Sequence, residues 1–119
     1  MEPGRLLHIT SVTDWEASRA SGAVAPPSLA DVGFVHLSTP EQVALPANGL
    51  YHGRADLLLL VLDPGRIDVE IRWEPGVPTD PSSMRFPHAY GPVPTSAVVA
   101  VHPYAPRPDG GFDPPVLDG

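Results

Sequence analysis

The stretch DLLLLVLD, residues 56 to 63, constrains this chain more than any other. A continuous apolar run of this length, closed off at both ends by aspartate and followed by Pro64-Gly65, is too short for a buried helix. It has no polar alternation to give it a wet side, so it reads as a strand buried on both faces. Whatever surrounds it must cover both sides. The chain has 119 residues, enough for one domain with one folded body.

The neighbouring segments supply candidates for that cover. RLLHIT, residues 5 to 10, suits a short strand with Leu6, His8 and Thr10 on one face and Leu7 and Ile9 on the other. A helix is expected next: Thr13 with Glu16 forms a capping box and Gly22 a stop. The segment AVAPPSLADV, with its paired prolines, is expected to be a loop. GFVHLST, residues 33 to 39, is expected to be a strand, followed by a short helix that Thr39 and Gln42 cap, Pro40 opens, and Pro46 and Asn48-Gly49 interrupt. IDVEIRWE alternates cleanly and is expected to be a half-exposed strand partnering the apolar run. RFPHAYGP is expected to be a loop and SAVVAVHPY a last strand. These elements predict an α+β domain over residues 1 to 103, with a small mixed or antiparallel sheet and two or three helices. Residues 104 to 119, rich in Pro and Gly, would form an extended strap or a disordered tail.

Composition narrows the chemistry. Cysteine and lysine are absent, which removes thiolate nucleophiles, thiolate metal sites, disulfides and lysine Schiff bases. The formal charge of −7 disfavours a nucleic-acid partner, since phosphate backbones are bound by basic residues. No apolar run approaches the roughly 20 residues of a membrane span, and the first residues carry no export signal. The expected setting is cytoplasmic, and the expected partner a small molecule.

Three segments repeat one pattern: His8 with Thr10, His36 with Ser38, and His88 with Tyr90. In extended chain the two residues of each pair face the same way. Each pair can therefore present an imidazole and a hydroxyl to one cleft, and imidazole exchanges protons near neutral pH. Glu74, at the end of an alternating strand, is a candidate general base or ribose-binding carboxylate, and Arg72 and Arg85 are candidate anion binders. His36, His88, Glu74 and Tyr90 are the expected catalytic set. His8, Thr10, Ser38, Thr39, Trp73, Phe86, Arg72 and Arg85 are the expected ligand-binding set. No metal site is expected, because neither an i,i+4 histidine pair nor an acidic cluster accompanies the histidines.

In order along the chain, HIT, Trp15, Gly22, GFVHLST with Glu41-Gln42, DLLLLVLD, RWE and FPHAYGP resemble the family catalogued as domain of unknown function 952. That family is similar in fold to ADP-ribosyltransferases and to the NAD-binding half of RNA 2′-phosphotransferases. The resemblance implies that His8 and Thr10 fall where that superfamily holds the nicotinamide ribose, that His36 falls on the second histidine of its His-Ile-His-Leu strand, and that NAD is a possible cofactor. Ile9 stands where those relatives carry glycine. Three functions follow as expectations: transfer chemistry on NAD or a nucleotide-like metabolite; cofactor-free acid–base chemistry by the same fold, as an isomerase, lyase or cyclase; or ligand binding without catalysis.

Overall fold

The computed structural model describes residues 4–75 and 84–115. Its elements in chain order are β1 (Leu6–Ser11), α1 (Val12–Ser21), β2 (Ala23–Val24), α2 (Pro27–Val32), β3 (Val35–His36), α3 (Ala44–Leu50), β4 (Leu57–Leu62), β5 (Ile71–Pro75), β6 (Arg85–Ala89), β7 (Val93–Pro94) and β8 (Val98–Pro103). Short 3₁₀ turns at Pro64–Arg66 and Thr95–Ala97 follow β4 and precede β8. The class is α+β, and every strand pairing is antiparallel.

The apolar run is β4, the middle strand of a sheet ordered β1-β4-β8. Its side chains divide by the strand's period of two. Leu60 and Leu62 enter one core cluster with Leu6, Val24, Val35, Leu37, Ala89, Val93 and Ala97. Leu57, Leu59 and Val61 enter a second, with Leu7, Val43, Ala47, Tyr104 and Phe112. The sheet is thus buried on both faces, as the run requires. Each fully buried leucine contributes on the order of 1.5–3 kcal/mol relative to an exposed one. The second cluster shows the structural use of the C-terminal segment: Tyr104 and Phe112 are core residues. Asn48 holds that strap with two bonds, Nδ2 to the Phe112 carbonyl at 3.0 Å and Oδ1 from the Phe112 N–H at 2.7 Å.

A second sheet, β3-β6-β5, packs on the first cluster's side. Among the described residues an isolated bridge, Leu7 with Ser38, joins the two sheets, with backbone bonds of 2.7 and 2.8 Å.

Several expectations are corrected. The cap of α1 is Ser11, whose hydroxyl accepts from the Asp14 N–H at 3.1 Å, so the helix starts before Thr13. The expected loop at residues 23 to 32 contains β2 and α2, because Pro27 stands at the first helical position, where no N–H is needed. The expected strand GFVHLST is ordered as strand only at Val35–His36. Thr39 and Gln42 build a turn, not a helix start. The Gln42 side chain accepts from the Thr39 N–H at 3.0 Å and donates to the Arg85 carbonyl at 3.0 Å, tying that turn to β6. The helix begins later, at Ala44, and runs through Pro46, which lies in its first turn, and through Asn48-Gly49. IDVEIRWE yields only Ile71–Pro75, paired with β6 and not with the apolar run. RFPHAYGP is no loop: Arg85–Ala89 is the middle strand of the second sheet. Pro87 is accommodated there as an acceptor, its carbonyl taking the Leu37 N–H at 3.0 Å. Among the described residues no helix is long and apolar enough to cross a membrane.

Candidate active site

Register places the candidate residues. His36 pairs with His88 and Arg72 pairs with His88, so these three form one row across β3, β6 and β5. Glu74 pairs with Phe86, two residues along, on the same side of the sheet. Trp73 and Arg85, paired with Pro87 and Pro75, alternate to the other side. There the Arg85 guanidinium donates to the Trp73 carbonyl at 3.3 Å, and Trp73 is 48% exposed.

At the row's centre His88 is 1% exposed. Its Nδ1 lies 3.0 Å from Glu74 Oε1, and the Tyr90 hydroxyl donates to that same oxygen at 2.5 Å. These two donors hold the Glu74 carboxyl below its usual range, the tyrosine contributing most. The same bond, with burial assisting, pushes the Tyr90 phenol above its usual value. An ionised carboxylate can only accept, so the hydrogen between Glu74 and His88 sits on His88 Nδ1. Whenever the ring is neutral, Nε2 is then its lone-pair nitrogen. It is buried and has no hydrogen-bond partner. Such an atom in a folded protein calls for an explanation, and a functional one is available here. The Arg72 guanidinium lies 4.5 Å over the Tyr90 ring while its nitrogens grip Glu70 at 3.0 Å, so its charge is already paired.

The other two histidines join this centre differently. His36 is exposed, and its ring meets the His88 ring edge-on at 5.5 Å between centroids. Burial, then the neighbouring His88, lowers the His36 pKa. His8 is 7% exposed and sits on the β1 face with Leu6 and Thr10; its Nδ1 donates to the His36 carbonyl at 2.8 Å. Burial lowers its pKa, opposed by that bond. Thr10 and Ser38 are buried beside these elements, Ser38 at the bridge between the sheets. The three imidazoles thus share one neighbourhood, but only His36 faces water; His88 is sealed.

Phe34 covers one face of the His88 ring, and the histidine–hydroxyl spacing along the chain did not single it out. Its ring lies on the His88 ring at 3.9 Å with planes 14° apart, meets His36 at 4.8 Å and Tyr90 at 5.4 Å. The signal was present: Phe34 is two residues before His36, the spacing used for the histidine–hydroxyl pairs. Thr39 belongs to the Gln42 turn, and Phe86 is buried next to Arg85 on β6. Two clefts, of about 410 and 300 Å³, lie elsewhere, one beside Trp15, Arg19 and Val98–Val101, the other beside His102, Tyr104 and Pro115. Among the described residues no group of three or more His, Asp or Glu is placed to hold a metal.

With the fold and this geometry in hand, comparison with known proteins places the chain. The family model described as "Protein of unknown function (DUF952)" matches residues 9–101. The chain belongs to that family. The crystal structure of protein CC0527 from Caulobacter crescentus is similar at 31% identity with a TM-score of 0.77, covering 92% of this chain and 93% of that one. The solution NMR structure of CC0527 matches at 31% identity with a TM-score of 0.69, covering 91% and 90%. No curated protein matches the chain.

Proposed function

We propose that this protein is a cofactor-free acid–base enzyme acting on a small metabolite, with His88 Nε2 as the proton acceptor. The observation that carries the reading is the buried, unpartnered Nε2 on a ring whose other nitrogen is fixed by Glu74. A carboxylate behind an imidazole fixes the tautomer and offsets the charge that forms when the ring takes a proton. Tyr90, held on the same carboxylate, is placed to donate a proton or orient the substrate. An acceptor and a donor held on one carboxylate suit an isomerisation, elimination or cyclisation that moves a proton between two atoms. The acidic chain, at −7, fits a small-molecule substrate better than a phosphate polymer.

The test is a thermal-shift screen of a metabolite library, followed by turnover assays on the hits. A ligand that stabilises the native protein and is converted should be bound weakly or left unconverted by His88→Gln and Glu74→Gln. Equal conversion by His88→Gln would end this reading.

A second reading takes NAD or a nucleotide-like metabolite as ligand, on an ADP-ribosyltransferase-like fold. It is favoured by the burial of His8 and Thr10, the residues that resemblance assigns to the nicotinamide ribose, on the β1 face that adjoins His36. Titration with millimolar NAD, followed by the fluorescence of exposed Trp73, distinguishes the two; a flat titration removes this one.

A further inference from the structure

We propose that Arg72 is a positioning residue for Tyr90: oriented over the phenol by Glu70, it offsets the charge left when Tyr90 gives up its proton, and so makes Tyr90 the acid of the site. This rests on the acid–base reading above and assigns the part Tyr90 plays in it. The hydroxyl turns its hydrogen from Glu74 to a substrate atom. The proton leaves Oη, the electron pair of the broken O–H bond stays there, and His88 Nε2 takes up the proton that the substrate gives. A phenolate made in this way lies against Glu74, whose carboxylate accepts from the Tyr90 hydroxyl at 2.5 Å. Two anions at that distance oppose each other, so the phenol is a usable acid only with a cation beside it.

Arg72 is placed to be that cation. It lies on β5 in register with His88, and its guanidinium carbon is 4.5 Å from the centre of the Tyr90 ring. Lysine is absent, and of the two arginines on the second sheet Arg85 is turned to the other side, towards the Trp73 carbonyl. Glu70 holds Arg72 in place, through Nε to Oε2 and Nη2 to Oε1, both at 3.0 Å. Two parallel bonds fix the plane of a guanidinium, where one leaves it on a flexible stem. Glu70 also holds the other partner, since its carbonyl accepts from the Tyr90 N–H at 2.8 Å. This close approach needs Gly91: a Cβ there would come within 2.6 Å of Val69 Cγ1, and the chain at residues 69 and 70 would have to shift. Among the described residues, the charged groups facing the Tyr90 hydroxyl are Glu74 and Arg72 of β5, with His88 of β6 bound to the same Glu74 oxygen; Phe34, from the bend before β3, brings no charge. Glu74, with burial, pushes the phenol up, and Arg72 pulls it down.

The test needs no substrate. In protein labelled with ¹³C at the tyrosine Cζ, each of Tyr51, Tyr90 and Tyr104 reports its own ionisation, and Tyr90→Phe identifies the signal. Arg72→Met and Arg72→Gln, which remove the charge and keep most of the length, should each raise the pH at which Tyr90 ionises by about 0.5–1 unit, a shift kept small because Arg72 is half exposed and screened. Arg72→Lys, which keeps the charge and loses the fork, should give a smaller rise, and Arg85→Met none. Tyr104, packed in the second core cluster, should stay where it is in every variant. An unmoved Tyr90 in both charge-removing variants, or an equal rise in Arg85→Met, would overturn the role of Arg72. The reading of His88 as proton acceptor would survive that result, because its own test is the loss of conversion in His88→Gln.

Discussion

The Tyr90–Glu74–His88 connection makes opposite demands at the two ends of the pH scale. Glu74 ionises more readily folded than unfolded, so its stabilising contribution is present above the ordinary glutamate range, near 4.3, and fades as pH falls through its lowered value. Tyr90 is shifted upward, so its contribution is full below about 10 and is lost as pH rises through its raised value. Glu74→Gln should therefore bring Tyr90 ionisation down toward its ordinary range in a tyrosinate absorbance titration; an unmoved Tyr90 would break the link. His8 behaves differently. Its pKa is lowered by burial, so stability is intact above about 6.5 and declines as pH falls and the buried ring must charge. Urea unfolding of His8→Gln should show a shallower loss than the native protein between about pH 7 and about pH 5. At this scale the grouping of several candidate residues was legible in the sequence. The two-residue spacing of His88 and Tyr90 put them on one side of a strand, and the six residues His36, Arg72, Glu74, Phe86, His88 and Tyr90 do share a face. Trp73 and Arg85 do not; Phe34 carried a readable signal in its two-residue spacing from His36, but its stacking on His88 depends on the pairing of β3 with β6, which spacing along one strand does not show.

At the scale of elements, the double burial of β4 is the most legible feature, because no polar residue interrupts it. It makes a quantitative prediction: Leu60→Ala, at a fully buried position, should cost about 2–5 kcal/mol in urea unfolding. The strap after β8 makes another. Phe112 is 2% exposed, its ring tilted against that of Tyr104 at 4.9 Å, and it is clamped by Asn48. Phe112→Ala should therefore cost about 3–5 kcal/mol, as for a core aromatic. A loss under about 1 kcal/mol, typical of surface positions, would mean that the second cluster does not need the strap. Elements that the sequence misled on share a cause: proline and glycine mark places where a donor is missing or φ is unusual, and tertiary context decides whether that stops an element. Pro27 opens a helix, Pro46 sits in a first turn and Pro87 serves a strand as an acceptor. IDVEIRWE alternated well enough for a longer strand; Glu70 still follows the β5–β6 ladder, its carbonyl accepting from the Tyr90 N–H at 2.8 Å, but Ile67 and Val69 before it pack into the first core cluster outside any strand.

For the whole molecule, the arrangement explains how a small chain carries a buried polar centre. Sheet β1-β4-β8 is sealed on one side by α3 and the strap, which leaves its other side to meet the second sheet. The candidate centre lies on that second sheet, and the two sheets touch through the Leu7–Ser38 bridge and the His8 bond to His36. Burying His88 without a partner for Nε2 costs stability, on the order of 1–3 kcal/mol for an unsatisfied polar group, unless a substrate completes it. A bound substrate should accordingly raise the unfolding temperature of the native protein and fail to raise that of His88→Gln. The central claim is narrower and can be measured without any ligand: neutral His88 carries its hydrogen on Nδ1, facing Glu74, with Nε2 bare. Long-range nitrogen–proton correlation of the imidazole rings in ¹⁵N-labelled protein reports this directly. The account predicts a protonated Nδ1 and an unprotonated Nε2 for His88 in the native protein, and loss of that single tautomer in Glu74→Gln; a native His88 protonated on Nε2, or averaging between tautomers, would contradict it.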